Sequence, residues 1–213
     1  MLNKTDVEIR EIDHKIAMSL VVENHYLHRK APCSYAFGLF RNDGLFSELL
    51  GVVIYGTPVS RPLQRGICGD DEADNVIELT RLWVKDEAPK NCESYLISNS
   101  MKLVDKEIIV SFAEIDQGHL GIVYQATNWL YTGLSQKHLD WAIVGRKNKH
   151  IRHTLDLYGS IEEAKSILGK NLIRKERPRK HRYIYFNTTK KRRKELFGKL
   201  LYKVEKYPKN RKE

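Results

Sequence analysis

Three cysteines in 213 residues, Cys33, Cys68 and Cys92, are too few and too scattered for a disulfide framework or a structural zinc site. Their odd number suits reduced thiols in a cytosol, so a cytoplasmic protein is expected. No apolar run approaches the ~18 residues that a membrane-spanning helix needs, which leaves the membrane out of the expected partners. The opening "MLNKTDVEIR" lacks the basic-then-apolar layout of a secretory signal. Internal repeats and low-complexity linkers are missing as well, which favours one continuous domain.

What is present is a globular composition, 41% hydrophobic and 9% aromatic. The net charge of +10 is unevenly spread. Acids and bases roughly balance up to about Asp140, and from Arg146 onward the chain runs through "GRKNKHIRH", "KNLIRKERPRKHRY" and "TTKKRRKELFGK". Basic surfaces are common, so charge alone does not single out nucleic acid. Tyr183, Tyr185 and Phe186 interleave with these runs, and aromatics stack on bases while Lys and Arg neutralise phosphates. "YIYF" reads equally as a core strand. Both readings are carried, with Tyr183 and Tyr185 on one strand face and basic flanks outside.

Periodicity predicts a mixed order of elements. "VEIREI" reads as a strand, and "DHKIAMSLVVENHYLHR" as a helix capped by Asp13 with Ile16 and Leu20 on its apolar face. "YAFGLFR", the turn "NDG" and "LLGVVIYGTP" make a hairpin, since Asp-Gly supplies positive φ. "NVIELTRLWV" is a strand. "NCESYLISNSMKLVDK" is a helix burying Tyr95, Leu96, Met101, Leu103 and Val104. "IIVSFAEI" is a buried strand, "GIVYQATNWL" a helix and "DWAIVG" a strand. "GSIEEAKSILG" is a helix with a Ser cap and a Gly stop, "KHRYIYF" closes the sheet, and a surface helix starts near Thr189. The opening hairpin is antiparallel and the later β-α-β unit parallel, so the fold class is α/β with a mixed sheet.

"LTRLWVKDEAPKNCES" runs from a strand through a Pro-containing loop straight into a helix. Its helix start offers unpaired amides and a positive dipole end, with Asn91 and Ser94 beside it and Lys90 adding charge. The same residues would serve a helix that merely caps itself with Asn91 or Ser94. Other polar groups gather at the sheet ends. Asn24, His25, Tyr26 and His28 crowd the end of the first helix, where a histidine is also an ordinary boundary residue. Asp116 follows the buried strand at its carboxyl end, where open α/β sheets place ligands, and could equally form a turn before Gly118. His119 lies between Gly118 and Gly121, which suggests close backbone approach. Tyr124, Gln125 and Asn128 line the next helix, and Ser111 puts a hydroxyl in a buried strand, where it needs a partner.

The order of elements resembles the GNAT acyltransferase superfamily. In that fold the fourth strand opens into a pyrophosphate loop and helix, and a tyrosine on a later helix protonates the departing thiolate. The usual R/Q-x-x-G-x-G/A loop is absent, with "KDEAPKNCES" in its place. Four blocks in order, "NHYLHR", "ELTRLWVKDEAPKNCES", "VSFAEIDQGHLGIVYQATNWLYTG" and "PRKHRYIYF", resemble the phage Mom DNA-modification family, a divergent branch of that superfamily. The similarity spans about Asn24 to Phe186 and continues weakly in "YPKN".

The resemblance implies conversion of adenine in double-stranded DNA to a carbamoylmethylated adenine at the exocyclic amine, a mark that shields phage DNA from restriction. It implies an acyl-CoA-type donor and admits iron. On this reading Lys90, Asn91 and Ser94, with Trp83 and Asn128, hold the cofactor. His25, Tyr26, Asp116 and Tyr124 form the reactive cluster and the candidate iron ligands, with Ser111 and His119 behind them. Asp116 would accept a proton from the adenine amine and Tyr124 would donate one. Arg146, Lys147, Lys149, Arg174, Lys175, Arg177, Arg179, Lys180, Arg182, Lys190, Lys191, Arg192 and Arg193 would meet DNA phosphates. Residues 1–188 are expected to form the GNAT-like catalytic domain and 189–213 a basic helical segment of the same unit; a homodimer stays open. The alternatives are a GNAT-type acetyltransferase acting on a non-DNA amine and a non-enzymatic DNA-binding protein on that scaffold. Glu78 and Arg81 could pair on the sheet face or hold the loop.

Overall fold

The computed structural model describes residues 2–42, 46–146 and 157–209. In chain order the elements are β1 (Val7–Glu11), α1 (His14–Asn24), β2 (Tyr35–Asn42), β3 (Ser47–Gly56), α2 (Arg61–Cys68), β4 (Val76–Val84), α3 (Cys92–Ser100), β5 (Ile108–Glu114), α4 (Ile122–Ala126), β6 (Leu130–Leu134), β7 (Leu139–Ile143), α5 (Ile161–Leu168), β8 (Leu172–Glu176), β9 (Lys180–Phe186) and α6 (Lys190–Lys199). Seven strands form one sheet in the order β1-β2-β3-β4-β5-β9-β6, and β7 and β8 form a separate pair. β4 and β5 run parallel, as the β4–α3–β5 crossover requires, and the other neighbours are antiparallel. This is the mixed α/β sheet flanked by helices that the order of elements predicts.

Strand composition explains the layering. "IIV" of β5 is apolar without alternation because Ile108, Ile109 and Val110 are fully buried between helices on both faces. Burying each such side chain is worth about 1.5–3 kcal/mol. α3 covers one face over Tyr55, Ile77, Ile109 and Tyr183. α2 and α6 cover the opposite face at Val76, Ile108 and Ile184. After α6 the chain returns along the sheet: Leu201 N–H donates to Ile67 O, and Glu205 N–H to Tyr131 O, which covers the free edge of β6. The Tyr207 hydroxyl closes the segment by donating to Trp129 O at 2.8 Å.

Several expectations change. The buried face of α1 is Ala17 and Val21, whereas Ile16 is 58% exposed. α3 ends at Ser100, and Leu103 points to solvent. The helix in "GIVYQATNWL" is only Ile122–Ala126, because Asn128 takes a left-handed conformation (φ 61°) and the following residues extend as β6. β9 does not close the sheet but lies inside it, between β5 and β6. α2, β6 and β8 were not anticipated. Tyr183 is fully buried and Tyr185 packs on the same core, so the "YIYF" aromatics are core and not a base-stacking surface. The Asp43-Gly44 turn lies outside the described residues.

Two irregularities make the site. β4 pairs with β5 only over Val76–Glu78 and Ile108–Val110. Beyond that, β4 stays on β3 to Val84 while β5 stays on β9 to Glu114, so the two strands part like a fork. At the fork β4 carries a bulge: Tyr55 faces Leu79 and Ile54 faces Arg81, which leaves Thr80 as the extra residue. A bulge breaks the two-residue alternation and re-aims side chains. Glu78 and Arg81, three apart, therefore both reach the opening.

Candidate active site

The fork opens into a cavity of about 700 Å³, walled by β4 and β5, the loop after α1, the start of α3 and the Gly118–Tyr124 segment. Ser111 sits at its apex. The Ser111 hydroxyl donates to Leu79 O at 2.9 Å, bridging the parting strands, and lies 2.8 Å from the Tyr124 hydroxyl. A carbonyl only accepts and Ser111 has one proton, so Tyr124 donates to Ser111. This is the partner that a hydroxyl in a buried strand requires. Burial pushes the Tyr124 phenol up to about 12, so it is protonated at neutral pH. Tyr124 is held by Trp129 and Tyr183, each ring centroid 5.1 Å away. Gly121, at φ 70°, lets the chain pass the Tyr183 ring, where a Cβ would collide. The close approach expected around His119 is real at Gly121.

Besides Glu93 at the start of α3, four charged groups line this space. Burial pushes the Glu78 carboxyl from its ordinary 4.5 up to about 6, against the opposing pull of Lys180 and Arg81. Among the described residues Glu78 has no ion-pair or side-chain hydrogen-bond partner. Arg81 therefore does not pair with it; its Nη1 donates to Thr80 O at 2.6 Å and its Nη2 to Arg29 O at 3.3 Å, which ties down the loop after α1. The Arg81 Nε–H is buried without a partner among the described residues. Glu114 and Lys180, register partners across β5 and β9, form an ion pair at 2.6 Å.

Three aromatic rings form the outer wall. His25 caps α1 with its N–H on Val21 O, and its Nδ1 accepts from Leu27 N–H at 3.1 Å, so the proton is on Nε2. Burial, and then the Arg81 charge, lowers its pKa to about 4, and the ring is neutral. Tyr26 stacks on His25 with centroids 4.3 Å apart and meets the edge of His119 at 5.4 Å. Tyr26 is 41% exposed, at the mouth.

The start of α3 lies at the same mouth. Asn91 is left-handed (φ 77°) and gives its helix no side-chain cap. Ser94 Oγ turns back to Asn91 O at 3.1 Å. Neither residue caps the helix through its side chain, so the first-turn amides of Glu93 and Ser94 have no internal acceptor among the described residues. Glu93 brings a carboxylate to this end, so an anion there is held by amides and the helix dipole against one like charge.

The cavity thus gathers His25, Tyr26, Ser111, His119, Tyr124, Asn91, Ser94 and Trp83. It does not gather Asp116, Lys90 or Asn128. Asp116 is exposed in the turn Ile115–Gln117, the turn-forming role that its neighbour Gly118 allows. Glu114, two residues earlier, takes the wall position instead. Lys90 is exposed just before α3, and Asn128 forms an exposed left-handed turn. The candidate iron ligands are not assembled: Asp116 is outside the wall and His25 Nδ1 is engaged by Leu27. Among the described residues no group of three or more His, Cys, Asp or Glu side chains is placed to hold a metal. Reasoning from sequence left Glu78 undecided and passed over Glu114. The signal was a carboxylate between the apolar residues of "VIEL", at the start of a buried strand, where an unpaired charge is rare.

The basic residues divide sharply. Arg182 is 7% exposed, braced on Thr132 and laid over the Tyr202 ring at 3.4 Å. Arg179 holds Ser135 O and Leu134 O. Lys180 is paired inside the cavity. Arg192 bridges Glu72, Glu107 and Glu195. Arg193 donates to Phe186 O at 3.2 Å. These five are bound into the fold, because a guanidinium or ammonium near the core takes the nearest acceptors. Arg177 lies 3.9 Å from Asp140. Arg146, Arg174, Lys175, Lys190 and Lys191 are exposed, and Lys147 and Lys149 lie outside the described residues.

The chain matches the Mom protein family over residues 6–209. It is 28% identical over 211 residues to the methylcarbamoylase mom of Escherichia phage Mu, covering 96% of this chain and 84% of that protein. Arabidopsis thaliana NAA60, solved in complex with acetyl-CoA, is similar over 84% of this chain and 99% of that one, with a TM-score of 0.50 at 10% identity. That similarity is one of fold, the GNAT acyltransferase fold.

Proposed function

Because the chain belongs to the Mom protein family, we propose that it is a transferase that carbamoylmethylates the exocyclic amine of adenine in double-stranded DNA. The Mu relative is a methylcarbamoylase, and the site has the parts that such a transfer needs. One observation carries the reading: an unpaired carboxylate, Glu78, and a protonated phenol, Tyr124, line one cavity whose mouth holds an uncapped helix end.

An acyl-CoA-type donor suits the open amides of Glu93 and Ser94 and the slot between β4 and β5. When bound, such a donor would supply a thioester carbonyl carbon and a thiolate leaving group, so the amine–carbon bond forms as the carbon–sulfur bond breaks and the direct product is an N-acyl adenine. A glycyl group passed in this way has the same atoms as a carbamoylmethyl group and becomes one by isomerisation, with no oxidant or further nitrogen donor. Glu78 is the general base. A carboxyl near 6 is ionised at neutral pH yet basic enough to take a proton as the amine nitrogen forms its new bond. Tyr124 is the general acid: the O–H that rests on Ser111 turns to the departing thiolate, and the Ser111 hydroxyl, 2.8 Å away, then donates to the phenolate oxygen in place of Leu79 O. Arg81 puts a positive charge beside developing negative charge. An adenine amine is paired inside the duplex, so the base must leave the stack at a cost of a few kcal/mol. Tyr26, backed by His25 and edged by His119, provides the aromatic face to receive it. Asp116, on the turn that carries His119, stands outside the wall and takes no proton in this scheme.

The test is nucleoside mass spectrometry of plasmid DNA from expressing cells. A deoxyadenosine heavier by one carbamoylmethyl group is expected from the unaltered chain and absent from Glu78→Gln. Unmodified nucleosides in a strain that expresses the folded protein would sink the reading.

A further inference from the structure

Between β6 and β9 the described residues 136–146 and 157–179 form an excursion from the main sheet. Their strands β7 and β8 pair only with each other, Leu139 opposite Glu176 through Ile143 opposite Leu172. None of their side chains enters the three buried clusters of the main body. The arm has a small interior of its own. Ala164 and Leu172 are buried, and Trp141 lies under Lys165 and Arg174 at 4.9 and 5.0 Å.

Its charge is lopsided. The segment carries eleven Lys and Arg against five Asp and Glu, more than half of the chain's net charge of +10. Two of the acids are already matched, Glu176 by Lys137 and Asp140 by Arg177. Arg146, Lys165, Lys170, Arg174 and Lys175 are exposed and enter no ion pair among the described residues.

Its position completes the argument. The arm leaves the sheet at Ser135 and returns at Lys180, where Ser135 N–H donates to Lys180 O and Lys180 N–H to Ser135 Oγ. Lys180 is also a cavity wall residue, so the root of the arm and the mouth of the site share a side chain. The exposed lysines of α6 are elsewhere. α6 follows the far end of β9, seven residues or roughly 20 Å along the strand. There Arg192 ties it to Glu72 and Glu107, at the closed ends of β4 and β5.

We propose that the β7–β8 arm is the duplex-docking element, holding the backbone phosphates that flank the base entering the cavity, and that α6 has no part in it. The inference rests on the adenine-modification reading and adds to it where the double helix lies. A two-stranded ribbon is narrow enough to follow a DNA groove with cations on its exposed side, and phosphate contacts of this kind position a duplex without reading its sequence.

The experiment compares two charge reversals in the full chain by fluorescence anisotropy on a labelled 30-base-pair duplex across a salt series. One is Arg146→Glu/Lys170→Glu/Lys175→Glu on the arm, the other Lys190→Glu/Lys191→Glu/Lys194→Glu on α6. The arm variant should bind at least about tenfold more weakly, with a salt slope lower by about 3. It should keep the melting temperature and acetyl-CoA affinity of the unaltered chain. The α6 variant should stay within about twofold. Equal losses in both variants, or no loss on the arm, would overturn the proposal while leaving the enzyme reading intact. An unaltered chain that neither binds duplex nor marks adenine would instead strike at that reading itself.

Discussion

Replacing Glu78 by Gln keeps the side chain's shape and removes both its charge and its ability to take a proton. Burial holds the folded carboxyl at about 6, against an ordinary 4.5. Between those values the folded chain holds this proton more tightly than the unfolded chain does. The group's favourable contribution is therefore complete below pH 4.5 and is lost as pH rises through 6; above that the buried carboxylate is a constant cost. A shift of this size corresponds to about 2 kcal/mol. Glu78→Gln should recover it, raising the melting temperature at pH 7.5 by about 6 °C for a chain of this length. The same change should slow adenine modification by about 10²- to 10⁴-fold. In the unaltered enzyme the rate should fall about tenfold per pH unit below pH 6, and the variant's residual rate should lack that limb. Thermal unfolding and single-turnover rates across pH 5–8 measure both effects. A stabilised variant that retains full activity refutes the base assignment. A variant that loses stability as well as activity shows Glu78 to be a brace.

Tyr124→Phe should lower the rate by about 10²-fold or more with acetyl-CoA affinity unchanged, because the phenol acts on the leaving group and not on binding. Since that phenol titrates near 12, no alkaline limb from it should appear below about pH 11. Tyr26→Ala should weaken productive DNA binding by about ten- to a hundredfold, the worth of one stacked base, whereas Tyr26→Phe should behave like the unaltered chain in a titration of apparent KM. Equal losses in both would show that the hydroxyl matters and not the ring face. Gly121→Ala should cost about 1–3 kcal/mol in urea unfolding, because the position is left-handed and a Cβ meets the Tyr183 ring. It should also reduce activity by displacing Tyr124, three residues on.

The sequence by itself determined the elements whose signals are local. Asp13, Ser160 and Thr189 cap the helices expected of them, because a side-chain oxygen reaches amides only two or three residues ahead. The β4–α3–β5 crossover was legible from order alone, and the four resembling blocks were enough to point to the family. What tertiary structure decided depends on long-range register. β9 lies between β5 and β6, and no periodicity records which strand becomes its neighbour. Glu78 and Arg81 share an opening because a bulge opposite Tyr55 breaks alternation, and that bulge needs β3 as a partner. Glu114 is in the wall and Asp116 in solvent because β5 ends between them. Arg182 and Arg192 look like free cations in the chain, yet they are spent on Thr132 and Glu72, from 50 and 120 residues away. Local chemistry selects helices and turns, since its partners lie within one turn of the chain. The candidate site is assembled from four distant segments, and only their packing sets which carboxylate is stripped of water.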